Sequence, residues 1–132
     1  MAERFFGGLR RAAAAGAPVY GECGGYMVLG EALTDAEGHA HRMAGLLPLA
    51  TSFAERRLHL GYRTLILLQD GPLGRAGGRF RAHEFHYATT LSAGGEALFT
   101  AADSYDIDLG PAGLRRGSVA GSFMHLIDRE ED

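Results

Sequence analysis

The stretch that decides the fold is Val19-Tyr20-Gly21-Glu22-Cys23-Gly24-Gly25-Tyr26. Pro18-Val19-Tyr20 reads as a short strand, and Tyr26 to Leu33 reads as a helix or long turn. Between them a Gly-rich turn carries a cysteine at its apex. A strand, a nucleophilic side chain on a sharp turn and then a helix make up the nucleophile elbow, here with sulfur in place of a hydroxyl. A residue held at such a turn has strained torsions, and glycines beside it let the backbone approach its neighbours closely. The start of the following helix carries roughly half a positive charge, which favours thiolate over thiol. The N–H of Gly24 points where an oxyanion would develop. A buried structural cysteine fits the same residue type, because Cys packs as a small hydrophobe. The predicted strand and helix on the correct sides favour the nucleophile.

Upstream, residues 2–15 read as a helix. Phe5 and Leu9 stand at i, i+4, Ala12 to Ala15 are strong helix formers, and Gly16 is a stop. Helix, strand, Gly-rich turn and helix together give a βα unit of a parallel sheet, with the first helix as its crossover. A crossover helix covers a sheet face between two parallel strands. The pattern therefore predicts a domain that begins upstream of Met1, truncated at its N-terminus. An ordinary N-terminal helix on the sheet edge is the alternative.

Downstream the pattern turns to strands. Asp35-Ala36-Glu37-Gly38 is a turn signal, and Met43 to Ala50 is apolar. Leu58 to Leu68, Phe80 to Thr90, Ala97 to Ala102 and Gly117 to Phe123 read as strands, with loops at Gly71-Pro72 and Gly77-Gly78. The acidic end, Asp128 to Asp132, reads as solvated fraying. Residues 1–132 thus form one α/β unit with a β-rich second half.

Composition narrows the function classes. The chain has 132 residues, 13 Lys plus Arg (all arginine), 16 Asp plus Glu and a net charge of −3. That offers no basic field for a nucleic acid or an anionic membrane. Without lysine there is no P-loop lysine and no Schiff base. The single cysteine excludes an intramolecular disulfide and zinc sites built on paired cysteines. No apolar run approaches the roughly 20 residues that span a bilayer, and the N-terminus lacks a signal-peptide pattern. A cytoplasmic protein is expected.

A cysteine nucleophile needs a base, and there are six histidines. His125 follows the predicted strand Ser118 to Phe123 and so stands at a strand's C-terminal end, the edge where open α/β sheets form sites. His39 and His41 fall in a polar turn, and His59 has no clear role. In Arg81-Ala82-His83-Glu84-Phe85-His86-Tyr87, strand alternation puts Glu84 and His86 on one face and His83, Phe85 and Tyr87 on the other. H-E-x-H is not the helical zinc motif, so no metal site is expected.

Five segments in order carry a resemblance: Gly21 to Gly30, Met43 to Pro48, Gly61-Tyr62-Arg63, Arg81 to Tyr87 and Gly121 to Leu126. Together they resemble the glutamine amidotransferase domain of the cobyrinic and hydrogenobyrinic acid a,c-diamide synthases, over nearly the whole chain. The resemblance implies a flavodoxin-like, class I amidotransferase sheet. It implies a two-domain enzyme whose other domain binds ATP and Mg2+ and activates two carboxylates of a corrinoid, while this domain hydrolyses glutamine. No cofactor is then expected on this chain, and a second oxyanion donor would come from a Gly-rich loop upstream. Cys23 matches the nucleophile, His125 the histidine that activates it, and Gly24 the oxyanion-hole donor.

Two positions depart from the wider class of triad amidotransferases. Ile127 stands where many place a glutamate to orient the histidine, and Met27 where many place a substrate-touching glutamine. Glu84 is a candidate third member, and equally a structural strand residue. A relative acting on another acidic tetrapyrrole, such as a nickel sirohydrochlorin, fits the same pattern. So does a cysteine hydrolase on an α/β scaffold. Unpaired strand edges would favour self-association.

Overall fold

Residues 2–130 are described by the computed structural model. The first element, α1 (Ala2–Ala14), buries Phe6, and Leu9 and Ala13 pack on the apolar cluster around Tyr26 and Leu29. It stops at Gly16, whose φ of +83° suits glycine. Then follow β1 (Val19–Glu22), α2 (Gly24–Leu29), β2 (Ala32–Thr34), β3 (Ala40–Arg42), β4 (Leu49–Ser52) and β5 (His59–Leu67). The remaining elements are β6 (Arg79–His86), β7 (Thr89–Ala93), β8 (Glu96–Asp103), β9 (Asp108–Arg116), β10 (Val119–Ser122) and β11 (Met124–Glu130).

Two sheets carry the chain. The larger has seven strands in the order β1-β10-β9-β8-β5-β6-β11, and the smaller has four, β3-β2-β4-β7. The α/β expectation holds, as does the β-rich second half. Parallel pairing among the described residues is confined to β1 with β10 and β2 with β4. The helix expected over Tyr26 to Leu33 is shorter. Gly30 N–H closes the last turn on Met27 O, and Glu31 N–H already bonds Leu49 O, drawing the chain into the small sheet. The strand expected over Phe80 to Thr90 divides at Tyr87-Ala88, and its two halves serve different sheets. The acidic end is not frayed as far as Glu130. Asp128 to Glu130 pair with β6, and Arg81 grips Asp128 with two bonds of 2.7 and 2.6 Å. Residues 131–132 lie outside the described residues.

Two apolar clusters anchor these layers. One joins Tyr26, Met27 and Leu29 of α2 to Leu49, Leu114, Val119 and Phe123. The other runs across the large sheet through Leu65, Phe80, Phe99 and Met124. The first cluster seats α2 on β1 and β10. Close seating needs bare backbone, because a Cβ on Gly21 would lie 2.6 Å from the Gly25 carbonyl carbon, and one on Gly121 2.5 Å from Gly21 O. These two glycines are register partners in the parallel pair.

Candidate active site

The parallel pair β1/β10 builds the site. Val19 to Glu22 run in register with Val119 to Ser122, and the ladder continues one step as Cys23 N–H donates to Ser122 O at 2.9 Å. Both strands end at this point. The first turns into α2 through Cys23, at φ 53° and ψ −108°. A non-glycine residue is rarely held at positive φ, and it persists here because the flanking strand and helix over-determine it. Gly21, not Gly24 or Gly25, provides the steric room, since a Cβ on either of the latter would meet nothing within 4 Å. As the first residue of α2, Gly24 has an N–H without an intrahelical acceptor. Because α2 has only six residues, its dipole is weaker than a long helix would supply.

Cys23 is part-exposed, and its thiol lies 4.0 Å from Phe85 O. The second chain turns at Ser122, fully buried, whose hydroxyl accepts the Met124 N–H at 3.0 Å. Phe123 then packs edge-on against Tyr26 of α2 at 5.2 Å, and His125 emerges half-exposed on β11. Cys23 therefore follows directly on β1, whereas His125 lies three residues past the end of its parallel neighbour β10, at the start of β11. They are not hydrogen-bonded to one another. Catalytic contacts in a ligand-free site are often loose and tighten when substrate binds.

His125 faces Glu22. Its Nδ1 lies 3.9 Å from Glu22 Oε1, while Glu22 Oε2 accepts the Leu126 N–H and the Tyr20 hydroxyl, each at 3.0 Å. Burial, then the Glu22 charge, push the Tyr20 hydroxyl well above the usual phenol range, so it stays a donor. Nothing in the sequence singled out Glu22. The signal was its place beside the cysteine, but Leu126 lies 104 residues away and His125 stands next to it in sequence, so only the fold joins them to Glu22.

Glu84 is not brought to His125. It accepts from Arg63 Nε at 3.0 Å and pairs with His86 Nε2 at 2.7 Å. The His86 bond chiefly, helped by Arg63, holds the Glu84 carboxyl below its ordinary value against the opposing effect of burial. His86 also bonds Ala88 O at 2.9 Å through Nδ1. Its ring is stacked between Phe123 at 3.9 Å and His59 at 4.5 Å. His59, with no role assigned from sequence, thus belongs to this stack, and its buried Nδ1 has no partner among the described residues. Alternation on β6 separates His83 from the pair, as expected. An open groove of about 710 Å³ runs past His59, Glu84, His86 and Phe123, and neither Cys23 nor His125 lines it.

The chain can be compared with known proteins on this basis. The family model for the CobB/CobQ-like glutamine amidotransferase domain matches residues 2–132. The chain belongs to that family. It is 59% identical over 129 residues to the hydrogenobyrinate a,c-diamide synthase of Brucella anthropi, covering 97% of this chain and 29% of that enzyme. The enzyme of the same name from Rhizobium meliloti is 56% identical over 135 residues, covering 98% of this chain and 30% of its own length. That from Mesorhizobium japonicum is 53% identical over 129 residues, covering 97% and 29%. The chain spans less than a third of the length of these relatives. Membership agrees with the α/β sheet and the cysteine elbow. No helix among the described residues is long and apolar enough to cross a membrane.

Proposed function

We propose that residues 1–132 are part of a glutaminase domain that supplies ammonia to an ATP-dependent amidation of two corrinoid carboxylates, in a cytoplasmic enzyme of the hydrogenobyrinate a,c-diamide synthase type. The observation that carries this reading is Cys23 at positive φ between β1 and α2, beside the parallel strand β10 whose chain goes on to His125.

The chemistry is acyl transfer. The Cys23 thiolate attacks the side-chain carboxamide carbon of glutamine, forming a C–S bond. The oxygen of the tetrahedral intermediate is held by the Gly24 N–H and a second donor. Protonated His125 gives its proton to the leaving nitrogen, the C–N bond breaks, and ammonia departs. Water, deprotonated by neutral His125, then attacks the thioester carbon. The C–S bond breaks and glutamate is released.

ATP and Mg2+ belong to other parts of the whole enzyme on this reading. The chain has no lysine, so a P-loop lysine for ATP comes from elsewhere on this reading. The strands β1 and β11 end the large sheet, and an unpaired edge invites self-association.

The test is Cys23→Ala in the full gene product that carries this sequence. Glutamine-dependent amidation is expected to fall by at least about 10⁴-fold, as when other covalent nucleophiles are removed. Amidation with free ammonia is expected to persist. A glutamine-analogue electrophile should label Cys23, which a hydrolase for esters or lactones would not require. Survival of glutamine use in the alanine variant would sink the reading.

A further inference from the structure

We infer that Glu22 is the positioning residue for His125. The inference rests on the glutaminase reading and supplies the member that the sequence lacks at Ile127.

Glu22 ends β1 and immediately precedes Cys23. Its two oxygens do different work. Oε2 accepts the Leu126 N–H and the Tyr20 hydroxyl, each at 3.0 Å, so the carboxylate is fixed from both sides. The Leu126 bond ties down the residue next to His125 on β11, a strand that ends the sheet. Oε1 is left to face the imidazole, 3.9 Å from Nδ1. That distance is an ion-pair separation rather than a hydrogen bond, and a small rotation of the half-exposed ring closes it.

A carboxylate facing Nδ1 favours the tautomer with its proton there. The other ring nitrogen is then free as the base, and the imidazolium that forms on taking the thiol proton is stabilised. The acids on the neighbouring ladder positions of β6 and β11 are already committed. Glu84 is held by Arg63 and His86, and Asp128 by Arg81. The residue across the ladder from His125 is His83, which brings no negative charge.

The test is Glu22→Gln in the full gene product. Glutamine keeps the size of the side chain and one oxygen to accept from Tyr20 and Leu126, and loses the charge. Glutamine-dependent kcat should fall by about 10²-fold, less than the roughly 10⁴ seen where the acid of a triad is fully buried. KM for glutamine, ammonia-dependent amidation and the thermal midpoint should hold. Nitrogen-15 spectra of His125 should lose their bias toward the Nδ1–H tautomer. Wild-type kcat in Glu22→Gln would overturn the inference. So would an equal loss of stability and of both activities, the mark of a purely structural role. Failure of the glutaminase reading looks different: Cys23→Ala would then keep its glutamine use, whatever Glu22→Gln does.

Discussion

The protein holds two carboxylate–imidazole pairs, and they are built in opposite ways. Glu84 and His86 are close, at 2.7 Å, and the histidine ring is buried between Phe123 and His59. Every polar atom of that pair has a bond, with Arg63 completing the set. Glu22 and His125 are 3.9 Å apart, the ring is half-exposed, and one face of the site is open. A buried, saturated pair resists change and stabilises a particular arrangement of strands. A loose, half-exposed pair leaves room for a substrate. On the glutaminase reading, the tightest acid–imidazole contact in the protein is not the one that does the chemistry.

The contrast can be broken most sharply by treating the two histidines alike. His125→Asn should lower glutamine-dependent turnover by about 10³-fold, the scale of a lost general acid–base, and leave the urea midpoint unchanged. His86→Asn should do the reverse: a stability loss of about 3 kcal/mol from a disrupted buried pair, with turnover per folded molecule within a few-fold of wild type. Exchange of those two outcomes would invert the assignment.

A seating test is nearly as severe. Gly21→Ala places a methyl against backbone rather than a flexible side chain. A destabilisation of about 3 kcal/mol is expected, visible as a lower unfolding midpoint. A neutral effect would mean that α2 does not rest on β1 as described.

The pH dependence of stability sharpens the comparison further. The Glu84 carboxyl is held below its ordinary value of 4.5. Its contribution is therefore full above that value and is lost as pH falls through the depressed one. The stability gap between wild type and Glu84→Gln should be constant from neutral pH down to about 5 and narrow below that, as urea denaturation across pH would measure. A gap that widened on acidification would contradict the sign. The smallest effect belongs to Tyr20→Phe, which removes one of two donors to Glu22. Turnover should drop by about fivefold, consistent with a net hydrogen bond of about 1 kcal/mol.

Much of this was legible in the residues. The alanine run, the elbow and the apolar run around Leu65 gave α1, β1 and β5 directly. The place of His125 after a predicted strand singles it out for the role proposed for it. Three things were hidden. The stretch Tyr26 to Leu33 reads as a helix or long turn, but the helix ends at Leu29 and the bond from Glu31 to Leu49 draws the rest into the small sheet. The strand β9 carries Gly110, Pro111 and Gly113, which ordinarily argue against an interior strand. It forms nonetheless because β8 and β10 pair with it on both sides. Glu22 was hidden because the bond that reveals its place, to Leu126, joins residues 104 apart. Glu84 drew attention by its motif, and its tie to His86 two residues on is what such a motif encodes.

Phe123 links the two pairs. Its ring leans on Tyr26 from one side and lies flat on His86 from another, and two residues later the chain presents His125. The benzyl group is in effect a bearing: α2 and β6 both press on the same small disc of carbon, two residues before the imidazole proposed as the base. Trimming it to leucine would slacken both ends together, so drift in one pair would be felt in the other without either having been touched.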